Sequence, residues 1–167
     1  GSGRVYLGLL DAQAPTFDPL QPELMLRRPE ALLTTALSAL ACGPGMGSSD
    51  EARALLLRAC ALDVLLLLDA DALNLLAGDA RLQEAFSERA QRGVATLLTP
   101  HPTEAARLLT SDTAQVQADR AGAALELASR YHAVLVLKGC GTIVAAPDGR
   151  WFVNTTGHPA LASAGTG

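Results

Sequence analysis

Two glycine-rich stretches have the composition of ligand-binding loops. G-P-G-M-G lies at residues 43–47, before a segment with helical patterning, and A-G-T-G ends the sequence at residues 164–167. Backbone N–H groups exposed by glycines attract anions such as phosphate, and more strongly where a helix begins next to them. The first stretch is neither a Walker A loop nor a G-x-G-x-x-G fingerprint, because the Lys-Ser/Thr pair and the ribose-binding acid are missing. A tight turn is the competing interpretation of this stretch.

Polar residues follow three apolar runs. Asp69 and Asp71 follow V-L-L-L-L, His101 lies between two prolines in T-P-H-P-T-E, and Lys138 begins K-G-C-G-T. The two carboxylates either share a metal ion or, more simply, organise and cap their loop. A neutral His101 at a helix N-terminus could hydrogen-bond a ligand, and a surface histidine is the alternative. Lys138 meets either phosphate or solvent, and the glycines after it allow a ligand to approach the backbone closely.

These residues are positioned by strands that alternate with helices. Continuous apolar runs separated by Ala/Leu-rich segments of helical period predict an α/β fold, with a mostly parallel central sheet covered by helices on both faces. Ligands of such sheets bind at the carboxyl ends of the strands, which is where the polar residues and glycines lie. Strands are predicted at 4–10, 37–42, 64–69, 94–98, 133–137, 142–147 and 150–153, and helices at 48–60, 81–92, 102–109 and after residue 112.

Local signals place several element boundaries. Ser48 with Glu51 and Asp112 with Gln115 have capping-box spacing. Pro102 suits the first position of a helix, residues 148–149 (Asp-Gly) suit a hairpin turn, and the proline-rich residues 12–29 predict a surface loop. The helix after residue 112 is expected to bury one stripe, formed by Val116, Ala123, Leu127 and Tyr131.

Composition excludes several classes of protein. A net charge of -4 argues against bulk nucleic-acid binding, which needs a basic surface. The three cysteines are far apart, so neither a disulfide framework nor a zinc site is expected, and a cytoplasmic location is predicted. The longest apolar run is too short to cross a membrane.

The order of the motifs is more specific than any one of them. G-P-G-M-G, L-D-A-D-A-L-N, T-P-H-P-T-E, V-L-K-G-C-G-T and N-T-T-G-H-P-A-L-A-S-A-G-T-G follow one another along the chain. From residue 4 to residue 167 this order resembles the ADP/ATP-dependent NAD(P)H-hydrate dehydratases, formerly grouped with carbohydrate kinases. The resemblance implies a ribokinase-like fold and the repair of hydrated NADH and NADPH, with ADP or ATP as co-substrate and Mg²⁺. A phosphoryl group passes to the hydrate hydroxyl, and phosphate is then eliminated.

The resemblance also implies roles for individual residues. The hydrated dinucleotide would be contacted by Gly45, His101, Pro102, Thr103 and Glu104. The adenine nucleotide would be contacted by Lys138, Gly139, Cys140, Gly141, Thr142, His158 and Gly167, and an anion hole would be formed by Gly165, Thr166 and Gly167. Thr103 stands where the family often has glycine, and His158 where it usually has asparagine.

In the family an aspartate follows the last glycine of this loop and serves as general base. The sequence ends at Gly167, so we expect residues 1–167 to be a single, incomplete dehydratase domain, truncated at both ends, without its catalytic residue and therefore inactive by itself. The resemblance further implies a homo-oligomer, a tetramer, and a fused or partner epimerase domain.

Two other functions remain open from the sequence. The first is a small-molecule kinase of the same superfamily, acting on a sugar or a vitamin-precursor alcohol, since one fold hosts many activities. The second is a non-catalytic nucleotide-binding module. The combination of G-P-G-M-G with T-P-H-P-T-E favours the dehydratase.

Overall fold

Leucine and alanine build the interior, as the low aromatic content requires. The computed structural model describes residues 3–157 and separates the chain into two units, Gly1–Ala95 (the N-terminal unit) and Thr96–Gly167 (the C-terminal unit). The fully buried leucines of the N-terminal unit are Leu56, Leu66, Leu68, Leu73, Leu76 and Leu82, and those of the C-terminal unit are Leu98, Leu127, Leu135 and Leu137. Each unit therefore has an apolar interior of its own.

The N-terminal unit contains two parallel strand pairs with helices beside them. Its elements are β1 (Tyr6–Gly8), β2 (Met25–Arg27), α1 (Pro29–Leu32), β3 (Ala39–Cys42), α2 (Asp50–Cys60), β4 (Leu65–Leu68), α3 (Asp71–Gly78) and α4 (Ala80–Gln91). β1 pairs with β2, and β3 pairs with β4 in a register that places Ala39 opposite Leu65. Helix α4 packs against α2 and α3.

The C-terminal unit combines one parallel pair with an antiparallel extension. Its elements are β5 (Thr96–Leu98), α5 (Pro102–Leu109), α6 (Thr113–Ala118), α7 (Arg120–Tyr131), β6 (Val134–Leu137), β7 (Thr142–Ala145) and β8 (Trp151–Asn154). β5 and β6 are parallel, whereas β7 pairs antiparallel with β6 on one side and with β8 on the other. Helix α7 packs against β6 and β7.

The predicted α/β class with mostly parallel strand pairing and flanking helices is confirmed. The Asp-Gly dipeptide at residues 148–149 turns the chain between β7 and β8, as predicted for a hairpin. Within residues 3–157, no helix is long and apolar enough to cross a membrane.

Four local predictions differ from the structure. The side chain that caps α2 is Ser49, which accepts from the Ala52 N–H, and not Ser48. The predicted loop at residues 12–29 contains β2, and α3 was not predicted. The single helix expected after residue 112 is two helices, because Asp119 leaves helical geometry and its carboxylate accepts from the Gly122 N–H to begin α7.

A buried arginine joins separate backbone segments of the N-terminal unit. Arg89, on α4, is 0% exposed. Its guanidinium donates to the carbonyls of Leu62 and Val64, which both precede β4, and to the Ala95 carbonyl. It also donates to the Cys60 carbonyl, at the end of α2. Fixed planar donors suit such a cluster of carbonyl oxygens better than a lysine ammonium would.

Candidate functional site

The loops after β3 and β4 fit tightly against each other in the N-terminal unit. Gly43 has φ +135°, and a Cβ built on it would lie 1.7 Å from the carbonyl oxygen of Asp69. The Asp69 N–H donates to the Cys42 carbonyl at 3.1 Å, and the Gly47 N–H donates to Asp71 Oδ2 at 2.8 Å. Glycine is therefore required at position 43 by close backbone approach as well as by φ.

Between the two carboxylates the backbone is strained. Ala70 has φ +47° and ψ −118°, a conformation that residues with a Cβ rarely adopt. This strained residue precedes the first residue of α3, so the turn from β4 into α3 is unusually sharp. Such outliers persist where the surrounding contacts hold them, and the two bonds described above act on the residues on either side of Ala70.

The geometry around G-P-G-M-G disfavours the predicted phosphate site at the start of α2. The carboxylate of Asp71 already occupies the Gly47 N–H, and the Ser49 hydroxyl occupies the Ala52 N–H. Asp50 and Glu51 add two negative side chains to the first turn of α2. Gly45 is exposed at φ +68° with open space on its Cα, so a ligand could approach its backbone. An uncharged part of a ligand suits this loop better than a phosphate.

His101 and Glu104 form a reciprocal cap at the start of α5. His101 Nδ1 accepts from the Thr103 and Glu104 N–H groups at 3.1 and 3.3 Å, and Glu104 Oε2 accepts from the His101 N–H at 2.8 Å. Nδ1 must therefore be unprotonated, which assigns the ring proton to Nε2, 3.3 Å from Glu104 Oε1. The imidazole is exposed, whereas Glu104 is 4% exposed. A ligand could therefore contact the His101 ring directly. Glu104 would affect that ligand only by orienting the ring.

Helix α5 begins at Pro102 and ends at Leu109, as predicted. The Thr103 hydroxyl lies 3.5 Å from that of Thr113. Histidine is an unusual capping residue, so the preference for Ser, Thr, Asp and Asn at such positions did not reveal this cap. The spacing of His101 and Glu104, which matches a capping box, was the available signal.

The K-G-C-G-T segment forms a tight loop between β6 and β7. Gly139 and Gly141 have φ +145° and +66°, and the Thr142 hydroxyl donates to the Gly139 carbonyl at 3.0 Å. Cys140 is exposed at its tip. The Arg120 guanidinium, at the start of α7, lies against this loop and was not singled out from the sequence.

One hydrogen bond joins the two predicted binding segments of the C-terminal unit. The Lys138 N–H donates to the Pro100 carbonyl at 2.9 Å. Pro100 precedes His101, and Lys138 begins the K-G-C-G-T loop, so the structure brings the T-P-H-P-T-E and K-G-C-G-T segments together. Gly45 belongs to the N-terminal unit, and His158, Gly165, Thr166 and Gly167 lie outside the described residues.

Among residues 3–157 no three His, Cys, Asp or Glu side chains are grouped closely enough to hold a metal ion. Asp69 and Asp71 therefore do not form a site of this kind with a third such residue there. Mg²⁺ commonly binds through one or two carboxylates together with the phosphates of a nucleotide. In this part of the chain, a magnesium ion would therefore be held mainly by the phosphates of a nucleotide.

Comparison with known proteins gives one consistent result. The profile of the NAD(P)H-hydrate dehydratase family matches residues 9–167. An ADP-dependent (S)-NAD(P)H-hydrate dehydratase from Neisseria meningitidis is 39% identical over 100% of this chain, which spans 56% of that protein. A bifunctional NAD(P)H-hydrate repair enzyme from Coxiella burnetii is 37% identical over 100% of this chain, which spans 33% of it.

Solved structures agree with the sequence comparison. The ADP/ATP-dependent NAD(P)H-hydrate dehydratase of Bacillus subtilis, co-crystallised with ATP and Mg²⁺, superposes with a TM-score of 0.68 at 29% identity. The match covers 89% of this chain and 52% of that one. A ribokinase-like superfamily protein from Enterococcus faecalis superposes with a TM-score of 0.67 at 25% identity. The chain therefore belongs to the NAD(P)H-hydrate dehydratase family.

Proposed function

We propose that the protein dehydrates hydrated NADH and NADPH to the normal cofactors, using ADP or ATP as co-substrate. The observation that carries the proposal is the Lys138–Pro100 hydrogen bond. It joins the segment expected to bind nucleotide to the segment expected to bind the hydrated dinucleotide, in a chain of the dehydratase family. Phosphoryl transfer requires such neighbouring sites, since its catalysis depends mostly on positioning and electrostatics.

In the proposed reaction the hydrate hydroxyl attacks the terminal phosphorus of the nucleotide and gives up its proton to a general base, the aspartate that the family resemblance implies. The bond from that phosphorus to the bridging oxygen breaks, so ATP leaves as ADP and ADP leaves as AMP. The original carbon–oxygen bond of the hydrate, whose oxygen now carries the phosphoryl group, then breaks, and its electron pair leaves with the phosphate. A proton is lost from the neighbouring carbon, which restores the double bond. Hydroxide is a poor leaving group and phosphate a good one, which explains why a nucleotide is consumed.

The residues of the C-terminal unit have distinct parts in this proposal. The exposed ring of His101 meets the hydrated dinucleotide, and Glu104, whose Oε1 lies 3.3 Å from Nε2, holds that ring in place. The Lys138 side chain and the backbone of residues 139–142 meet the nucleotide, and Mg²⁺ supplies neutralisation of its phosphate charge. We also propose that His158 and the loop of Gly165, Thr166 and Gly167 line the nucleotide side, as the family resemblance implies.

Turnover of hydrated NADH tests the main proposal. With the full-length protein and either ATP or ADP, we expect reduced-nicotinamide absorbance to return and one phosphate to be released per cofactor restored. Omitting the nucleotide should abolish the reaction. Phosphorylation of a sugar or of hydroxymethylpyrimidine, with the hydrate left unchanged, would establish a kinase of the same superfamily instead.

Replacing His101 by asparagine tests the substrate contact. Asparagine caps helices well, so α5 should persist, whereas the imidazole ring that meets the hydrate is lost. We expect the KM for the hydrate to rise about tenfold, equivalent to one hydrogen bond of about 1.4 kcal/mol, and the KM for nucleotide to stay within about twofold.

His132→Asn is the matched control for this substitution. His132 ends α7 in the left-handed conformation, which asparagine tolerates. This substitution should therefore leave both KM values unchanged. Equal hydrate KM values for the two variants would show that the His101 ring does not contact the substrate.

Two proposals concern partners. The first is that the protein acts with an epimerase domain, either fused to it or as a partner. It is supported by the Coxiella relative, which is called bifunctional and of which this chain spans 33%. The second proposal is that the protein forms a homo-oligomer, which the family resemblance implies to be a tetramer. Light scattering of the full-length protein measures its oligomeric state directly.

A further inference from the structure

The Arg120 guanidinium lies within a group of backbone carbonyls at the base of the K-G-C-G-T loop. Its Nη2 is 3.2 Å from the Gly141 carbonyl oxygen and 3.4 and 3.5 Å from those of Leu137 and Lys138. Its Nη1 donates to Gln117 Oε1 at 3.3 Å, so a residue of α6 holds the other nitrogen of the guanidinium. Since two of the carbonyl contacts are long, the guanidinium acts chiefly as a cation centred among three carbonyl dipoles.

Gly139 leaves the room that this arrangement needs. A Cβ on residue 139 would lie 2.7 Å from Arg120 Nη1 and 2.9 Å from Nη2. The φ of +145° at the same residue belongs to a region that residues with a Cβ avoid. The loop backbone therefore approaches the arginine more closely than a side chain at this position would allow.

Arg120 also determines which way the loop amides face. In a trans peptide the carbonyl and the next N–H point in opposite directions, and the described residues contain no cis peptide bond. The Leu137 carbonyl faces Arg120, and the following Lys138 N–H points away and donates to the Pro100 carbonyl at 2.9 Å. By the same geometry, the Lys138 carbonyl faces Arg120, so the Gly139 N–H points away from it.

We propose that Arg120 is a positioning residue for nucleotide binding: by drawing the loop carbonyls toward itself, it turns the opposite face of the loop backbone, with the Gly139 N–H, toward the phosphates. This inference rests on the proposed function, because it assumes that the K-G-C-G-T loop binds nucleotide. Arg120 does not touch the nucleotide in this proposal. It acts through the loop that does.

Alkylation of Cys140 reports the state of the loop without any turnover. Burial raises the pKa of the Cys42 thiol to about 11 and that of the Cys60 thiol to about 12, so both react slowly near neutral pH. Cys140 is exposed at the tip of the loop. Iodoacetamide labelling, mapped by mass spectrometry, should therefore modify Cys140 first, and ATP or ADP should slow that modification.

Arg120→Met and Arg120→Lys are compared with Arg130→Met. Arg130 lies on the same helix and also donates to a backbone carbonyl, that of Leu108 at 2.9 Å, away from the loop. For Arg120→Met we expect a nucleotide KM about tenfold higher, a nearly unchanged hydrate KM, and faster Cys140 labelling without nucleotide. Arg120→Lys should not restore the nucleotide KM, because an ammonium cannot reproduce the planar fork. Arg130→Met should match the wild type in all three measurements.

The outcomes separate this inference from the proposed function. If ATP and ADP fail to slow Cys140 labelling in the wild type, the loop is not the nucleotide site and the positioning role is wrong, whereas the proposed function is still decided by turnover of hydrated NADH. If nucleotide protects the wild type and Arg120→Met behaves like Arg130→Met, the positioning role is wrong and the proposed function stands. If Arg120→Met does not fold, Arg120→Lys decides, because it keeps the charge and the aliphatic stem, and a wild-type nucleotide KM in that variant would overturn the inference.

Discussion

Replacing Arg89 by methionine is expected to lower the free energy of unfolding by about 4 kcal/mol, since removing one partner of a buried charged hydrogen-bond cluster leaves polar groups unsatisfied. The Leu62, Val64 and Ala95 carbonyls would each lose the guanidinium donor. Two carbonyls would keep another donor: that of Cys60 has Arg92 Nη2 at 2.9 Å, and that of Ala95 has the Leu66 N–H at 3.2 Å. Methionine retains much of the side-chain volume, so the loss reports hydrogen bonding more than packing.

Urea unfolding of the purified protein measures the effect of Arg89→Met. Arg81→Met is the matched control, because Arg81 lies on the same helix α4 and is exposed. Its unfolding free energy should stay within about 0.5 kcal/mol of the wild type. Coinciding unfolding midpoints for the two variants would mean that the Arg89 cluster contributes nothing to the stability of the folded state.

The second large effect is expected at Gly43, where alanine would meet the Asp69 carbonyl. A Cβ at 1.7 Å from that oxygen forces the loops after β3 and β4 apart, and the φ of +135° adds strain. We expect a loss of stability of about 4 kcal/mol, from steric overlap and backbone strain together. Because the Gly47–Asp71 bond spans the same two loops, hydrate turnover should fall with it, mainly through a higher KM for the hydrate.

Gly93→Ala separates strain from steric overlap. Gly93 has φ +68° with open space at its Cβ position, so alanine there should destabilise by about 1 kcal/mol. Thermal and urea unfolding of both variants give the comparison, and hydrate kinetics show whether the site is affected. The interlocking of the two loops would be refuted by a Gly43→Ala protein as stable as Gly93→Ala.

Sequence signals were strongest where the cause is local. Pro102 fixes φ at the first position of α5, and this helix has the predicted boundaries. The sequence likewise predicts the Asp-Gly turn at residues 148–149 and the apolar strands β4 and β6. Turn-forming residues and hydrophobic periodicity act over only a few neighbouring residues. Asp112 caps α6 through the Gln115 N–H, as its spacing indicated.

The unpredicted features depend on residues that are distant in sequence. Arg89 and Val64 are 25 positions apart, and Arg120 and Gly141 are 21 apart, so no local pattern marks either arginine. The choice of Ser49 over Ser48 as the cap of α2 depends on backbone angles at one residue. Of the candidate site, the segments themselves were found from the sequence, but which amides and carbonyls face one another was not.

Ala70 has a consequence for how the loop after β4 meets a ligand. Its φ of +47° is one that glycine reaches easily and alanine does not. An alanine also denies the unfolded and partly open loop many of the conformations that a glycine would sample, which lowers its conformational entropy before any ligand arrives. The strain therefore accompanies a pre-organised loop, and a ligand that contacts it has less disorder to remove on binding.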